Sequence, residues 1–107
     1  MILAKFLLLE KKLVGFEISG HSGFAEQGED VICAAVSSCA YMVANTVTEI
    51  YHTKAEIKNE DGFLSLSVPI SESEALQPLF EGFRLHLKAF SEDCKEYLKV
   101  RNVSIKK

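Results

Sequence analysis

Two short apolar runs separated by a charged turn open the chain. Residues Met1–Glu10 are rich in Leu and Ile, which favours a β-strand, and Leu13–Ser19 alternates between two faces. Only Lys11-Lys12 separates the two runs. Such closely spaced strands predict an antiparallel hairpin, although the turn lacks the Asn-Gly pair that would define its type. One face of the second strand is expected to carry Val14, Phe16 and Ile18.

A stretch without Gly or Pro from Val31 to Tyr51 predicts a helix. It consists mostly of Ala, Val, Ser, Thr and Met, and its apolar residues occur nearly all round, which is typical of a helix buried on every side. Asp30 directly precedes it and is a residue type that caps helix N-termini. The segment Gly20–Asp30 follows neither helical nor strand spacing. We expect it to form an exposed, mobile loop, where binding and catalytic residues are common.

The second half of the chain repeats the order of hairpin and helix. Residues Ala55–Asn59 and Phe63–Val68 flank Glu60-Asp61-Gly62, which predicts a hairpin, and Pro69 ends its second strand. A final short strand is expected at about Lys99–Ile105.

The helix between these strands has an ambiguous start. Ser71–Glu74 matches a capping box. Pro78 would forfeit a backbone hydrogen bond inside a helix, so the helix either begins near Leu76 or is kinked at Pro78. Its apolar stripe has helical spacing and consists of Leu76, Phe80, Phe83, Leu87 and Phe90.

The order β-β-α-β-β-α-β predicts an α+β fold: a mainly antiparallel sheet of about five strands with two helices packed on one face. With 107 residues, we expect one domain spanning 1–107. The net charge of −3 argues against a dominant nucleic-acid-binding surface. No apolar run approaches the roughly 20 residues that span a bilayer, so we expect no membrane partner either.

The three cysteines are odd in number and widely spaced. This pattern favours reduced thiols in the cytoplasm over a disulfide framework. No Cys-x-x-Cys or Cys/His pair has the spacing of a zinc site, so we expect neither a metal nor another cofactor.

Cys33 is the best candidate for chemistry. If Asp30 is the cap, Cys33 is the third helical residue, where the unpaired N–H groups and the positive end of the helix dipole favour a thiolate and can hold an oxyanion. His21 is the only group nearby in sequence that can become a cation. A Cys/His pair supplies a base for the sulfur and an acid for a leaving amine. The alternative is a small buried cysteine and a surface histidine.

Two neighbouring residues each have two interpretations. Ser37, four residues after Cys33, either supports the sulfur or bonds its hydroxyl back to the Cys33 carbonyl. Asp30 either caps the helix, which we favour, or orients His21. Cys39 lies about 240° further round the helix and is assigned to the core. The remaining candidates are assigned structural or surface positions: Cys94, His52 and His86.

The run Gly20-His21 followed by Asp30-Val31-Ile32-Cys33-Ala34-Ala35-Val36-Ser37 resembles the ribosomal-processing cysteine protease family, Prp. The combination of Gly-His, ten to eleven intervening residues and Cys-Ala-x-x-Ser carries the resemblance. It implies that Cys33 is the nucleophile and His21 the general base and acid. Three residues would support them: Asp30, Ser37 and Gly20.

The resemblance also implies a substrate and a setting. The family removes the N-terminal extension of large-subunit ribosomal protein twenty-seven in the cytoplasm and forms homodimers. A glycine-rich loop covers the site in that family, and here it would be Ser22–Glu29. The loop residues expected to meet substrate are Ser22, Gly23, Phe24 and Gly28. An alternative, motivated by the small size and the basic Lys106-Lys107 end, is a non-catalytic ribosome-associated binding module.

Overall fold

A computed structural model describes residues 1–20 and 27–106, and for residues 27–30 it describes the backbone alone. The described residues form five strands and three α-helices in the predicted order. The second predicted helix is divided into a short helix, a 3-10 turn and a long helix. The elements are β1 (Ile2–Leu9), β2 (Lys12–Ser19), α1 (Gln27–Asn45), a π-helical turn (Thr46–Ile50), β3 (Glu56–Glu60), β4 (Phe63–Ser67), α2 (Ile70–Ser73), a 3-10 turn (Glu74–Leu76), α3 (Gln77–Asp93) and β5 (Leu98–Ser104).

The strands form a single sheet in the order β3-β4-β2-β1-β5. Three neighbouring pairs are antiparallel, and β5 runs parallel to β1 with Ile2 opposite Leu98. The α+β class is therefore confirmed, and the sheet is mixed because of one parallel pairing at its edge. A helical connection is long enough to return the chain in parallel, which a tight turn cannot do.

The first hairpin turns at Glu10-Lys11, one residue earlier than expected, because Leu9 pairs with Lys12. Both turn residues have positive φ, 52° and 68°. This combination defines a type I′ turn, whose twist matches that of the two strands. Neither residue is glycine, so both residues have a left-handed backbone conformation that L-residues rarely adopt.

A β-bulge changes which side chains of β2 face the core. The pairing steps from Leu7 opposite Gly15 to Leu8 opposite Leu13, which leaves Val14 as an extra residue. Leu13 belongs to the main core, whereas Val14 is buried outside that cluster. The expectation that Val14 shares a face with Phe16 is therefore wrong.

The core lies on one face of the sheet, beneath α1 and α3. The ring of Phe83 from α3 meets two sheet aromatics edge-on, at 5.4 Å from Phe6 and 5.0 Å from Phe16 between ring centroids. Such edge-to-face pairs add stability beyond the area they bury. The helical stripe predicted for α3 is confirmed, and four of its members are almost completely buried: Leu76, Phe80, Phe83 and Leu87.

The first long helix is less deeply buried than its composition predicts. Its inner face contributes Val36, Ala40 and Val43 to the core, but Val31 is 63% and Met42 56% exposed. Val31–Ile50 also has the length and hydropathy of a membrane span, which corrects the expectation that no run approaches that length. Here this segment completes the core of the sheet.

The second helical region begins differently from the capping-box interpretation. Pro69 is the N-cap of α2 and no side chain caps it, so Ser71 lies inside the helix. The chain then tightens into the 3-10 turn, and α3 begins at Gln77 with Pro78 in its first turn. A proline costs no helical hydrogen bond there. Of the two options, the start near Leu76 is the one observed.

Candidate active site

A cleft of about 430 Å³ lies between α1, the C-terminal end of β2 and the turn joining β3 to β4. Cys33 lies in its wall, together with Gly20 and Ser37. The sheet supplies an apolar floor, and the turn supplies polar side chains. The remaining lining residues are Ile2, Ile18, Tyr41, Asn59, Glu60, Asp61, Gly62, Phe63 and Leu64.

The α1 wall is built from residues four positions apart. Cys33, Ser37 and Tyr41 follow one another at this spacing, which places them on the same side of a helix. Cys33 is half-buried and packs on one side against the core cluster. It also lines the cleft.

Gly20 forms the opposite side of the cleft and is tightly constrained. Its N–H donates a 3.0 Å hydrogen bond to the carbonyl of Gly62 in the β3–β4 turn. Its φ is +89°, and a Cβ at this position would lie 2.3 Å from the carbonyl oxygen of Met1. Only glycine satisfies both conditions. His21 is bonded directly to Gly20, although it lies outside the described residues.

The rim formed by the β3–β4 turn is acidic. Glu60 and Asp61 both line the cleft, and Glu60 forms a 3.7 Å ion pair with Lys58. Both partners are about two-thirds exposed, so the pair contributes little to stability. The rim presents carboxylates to a molecule entering the cleft.

Two predicted site residues, Gly28 and Asp30, lie within α1 rather than before its first residue. The helix begins at Gln27, so Gly28 is helical and does not belong to a substrate loop. Asp30 is the fourth helical residue and not the N-cap, which corrects the capping interpretation. Three loop residues and the histidine lie outside the described residues: Ser22, Gly23, Phe24 and His21.

The early helix start also corrects the electrostatic argument for Cys33. As the seventh residue of α1, Cys33 donates its backbone N–H to the carbonyl four residues earlier. That N–H is not free to hold an oxyanion. The effect of the helix dipole is concentrated in the first turn, so Cys33 receives less of it than a third residue would.

The other cysteines lie outside the cleft. Cys39 lines a separate groove between α1 and α3 and packs against the core. The Cys94 thiol donates to the carbonyl of Phe90 at 3.1 Å. Burial raises the pKa of Cys94, and the negative charge of Asp93 raises it further. Neither thiol shares the surroundings of Cys33.

The two described histidines are exposed, as assigned. His52 follows the π-helical turn with a positive φ of 53°, and His86 stacks on Phe90 with 6.4 Å between ring centroids. Within residues 1–20 and 27–106, no group of three or more His, Cys, Asp or Glu side chains could hold a metal ion.

Sequence reasoning missed two parts of the cleft, namely Tyr41 in the α1 wall and the residues of the β3–β4 region. Tyr41 could have been found, because it lies eight residues after Cys33 and therefore on the same helical side. Asn59 and the acidic turn residues are more than twenty positions away from Cys33 in the chain. No local pattern predicts that contact, which depends on how β3 and β4 are placed in the sheet.

Comparison with known proteins identifies the family. The model of the family described as cysteine protease Prp matches residues 1–99. The chain belongs to this protease family. The ribosomal processing cysteine protease Prp of Bacillus subtilis (strain 168) is 31% identical over 97 residues, which cover 85% of this chain and 87% of that protein. Cys33 therefore lies in the cleft of a Prp-family cysteine protease.

Solved structures share the same fold over nearly the whole chain. SMU.848 from Streptococcus mutans is 25% identical with a TM-score of 0.84, covering 98% of this chain and 99% of that one. The ribosomal processing protease Prp from S. aureus, in complex with a substrate peptide, is 17% identical with a TM-score of 0.86. That match covers 96% of this chain and all of the other. The mixed sheet is thus the fold of Prp structures.

Proposed function

We propose that this protease removes the N-terminal extension of large-subunit ribosomal protein twenty-seven. Cys33 is the nucleophile and His21 is the general base and acid. The observation that carries the proposal is the position of Cys33 in the wall of a cleft whose opposite side is Gly20, the residue bonded to His21. The related B. subtilis protein is named a ribosomal processing protease, which supports a ribosomal precursor as substrate.

The reaction proceeds by acyl transfer. The imidazole of His21 accepts the thiol proton of Cys33, and the sulfur attacks the carbonyl carbon of the scissile peptide bond. The tetrahedral intermediate collapses to a thioester as the protonated imidazole returns the proton to the leaving amine. Water then attacks the thioester, with His21 again acting as the base. The products are the released extension, the mature protein and the free thiol.

Three further residues support the pair. Gly20 fixes the backbone just before His21, because its N–H is bonded to the β3–β4 turn. Ser37 lies one helical turn after Cys33 in the same wall and places a hydroxyl beside the substrate path. Asp30 lies three residues before Cys33 in α1, and its proposed role is to orient His21.

The loop residues Ser22, Gly23 and Phe24 complete the substrate contacts in this proposal. They follow His21 directly in sequence, and the chain enters this segment from the edge of the cleft at Gly20. A peptide bound in the cleft would therefore pass close to the start of the segment.

We further propose that residues 1–107 act as one domain that works as a homodimer in the cytoplasm. Four exposed apolar side chains on α1, on the π-helical turn and directly after it support a dimer, because exposed apolar surface commonly marks an interface. They are Val31, Met42, Ile50 and Tyr51. A cytoplasmic location suits a thiol nucleophile and a ribosomal substrate.

The dimer is tested by sedimentation of Met42→Glu. We expect a monomer, because the charge introduced at position 42 would have to be buried in the dimer interface. Leu85→Glu is the control, since Leu85 is 71% exposed but lies on α3. A Met42→Glu protein that sediments like the wild type, or a monomeric wild type, would contradict the dimer proposal.

The catalytic assignment is tested with the ribosomal protein precursor that carries its extension. Wild-type protein is expected to release the extension, whereas Cys33→Ala and His21→Ala are expected to lose cleavage. Cys39→Ala is the matched control, because Cys39 lies on the same helix but outside the cleft. Undiminished cleavage by Cys33→Ala would refute the nucleophile. Absence of cleavage by the wild type would refute the proposed substrate.

A further inference from the structure

The cleft extends well beyond Cys33 along α1. Tyr41 lines its far end, eight residues after Cys33 on the same helical side. At 1.5 Å of rise per residue, the two positions are about 12 Å apart along the helix axis. An extended peptide advances about 3.3 Å per residue. A substrate whose scissile bond lies at Cys33 therefore reaches Tyr41 three or four residues away.

The hydroxyl of Tyr41 contacts β3, the edge strand of the sheet. It donates a 3.4 Å hydrogen bond to Oδ1 of Asn59 in β3, and both residues line the cleft. The contact joins α1 to the strand on the opposite wall. Tyr41 is 45% exposed.

An apolar side chain that covers a half-exposed aromatic ring lowers the free energy of the complex, because both apolar surfaces leave water. The polar edge of this ring already has a partner in Asn59, which leaves the ring faces as the surface available to a ligand. The cleft floor beside this wall is also apolar, with Ile2, Ile18 and Leu64. The ring faces and this floor favour a large apolar side chain, whereas Glu60 and Asp61 line the neighbouring turn.

We propose that the ring of Tyr41 is a specificity determinant that packs against a large apolar side chain of the substrate, three or four residues from the scissile bond. The inference rests on the proposed function, because it takes Cys33 as the nucleophile. It adds a position on the substrate that is recognised at a distance from the reacting atoms.

The test measures kcat/KM on peptides spanning the cleavage site of the ribosomal precursor, with alanine placed at each of five positions on either side. With wild-type enzyme, alanine at one large apolar position three or four residues from the cut is expected to lower kcat/KM about 2- to 10-fold, mainly through KM, as expected for an aromatic contact. Tyr41→Ala is expected to lose the sensitivity at that position and keep it elsewhere. Tyr41→Phe is expected to retain it.

Leu85→Ala is the matched control, because Leu85 is 71% exposed and lies outside the cleft. It is expected to reproduce the wild-type pattern. The inference is overturned if Tyr41→Ala keeps the full pattern, if Tyr41→Phe behaves like Tyr41→Ala, or if Lys or Arg is preferred at the position concerned. Failure of the wild type to cut any peptide would overturn the proposed function and this inference with it.

Discussion

Replacing Gly20 by alanine tests how the cleft is held together. The alanine would have to adopt the left-handed φ of +89°, which costs about 1–2 kcal/mol for an L-residue. Its Cβ would also lie 2.3 Å from the Met1 carbonyl oxygen, so the backbone must shift. That shift weakens the Gly20–Gly62 hydrogen bond, which contributes about 1 kcal/mol. The expected loss is about 2–4 kcal/mol in the free energy of unfolding.

Urea unfolding followed by circular dichroism measures this loss. With a slope of about 2 kcal/mol per M, the midpoint is expected to fall by about 1–2 M. Peptide cleavage without denaturant is expected to fall further than the unfolded fraction explains, because the displaced backbone leads directly into His21. Gly82→Ala is the control, since its Cβ would meet nothing within 4 Å and should stabilise α3 by about 0.5–1 kcal/mol. A Gly20→Ala protein with wild-type stability and cleavage would refute the reasoning.

Three further predictions concern other parts of the fold. Gln77→Ala should lower the free energy of unfolding, measured by urea titration, by about 2–4 kcal/mol. The Gln77 amide accepts from the N–H of Leu13 at 3.0 Å and donates to its carbonyl at 2.7 Å. A loss below about 0.5 kcal/mol would contradict this prediction. Replacing Glu10-Lys11 by Asn-Gly should raise the thermal midpoint by several degrees, because both positions have positive φ; an unchanged or lower midpoint would count against the turn assignment. Asp93→Asn should move the alkylation of Cys94 to lower pH, because removing the negative charge lowers the raised pKa of that thiol; a shift to higher pH would show that the sign is wrong.

Much of the fold could be predicted because its signals are local. In the strand predicted over Phe63–Val68, Leu64, Leu66 and Val68 alternate with Phe63, Ser65 and Ser67, which indicates one inner face. Leu64, Leu66 and Val68 are the buried set. The spacing of the α3 stripe likewise identified its inner face. The bulge at Val14 could not be predicted, since an extra residue reverses the alternation without any change of residue type. The parallel pairing of β5 was equally hidden, because a helical connection permits either direction.

The sequence predicted residues that line the candidate site, but it did not predict where the helix that carries them begins. The spacing of Cys33 and Ser37 on one helix side is local, and both residues line the cleft. The position of Asp30 in the helix is ambiguous in the sequence, because an acidic residue is favourable both at an N-cap and inside the first turn. Only the hydrogen-bonding pattern of the backbone distinguishes these positions, and it places the helix start at Gln27.

The pairing of β1 with β5 also has a consequence for folding. Ile2 forms part of the cleft floor, and its N–H donates to the carbonyl of Tyr97 at 2.8 Å, just before β5. Contacts between such distant parts of a chain form late. One edge of β1 therefore stays unpaired until Leu98–Ser104 folds against it. Because Ile2 lies in the floor of the cleft, the cleft is complete only once the last strand of the sheet is in place.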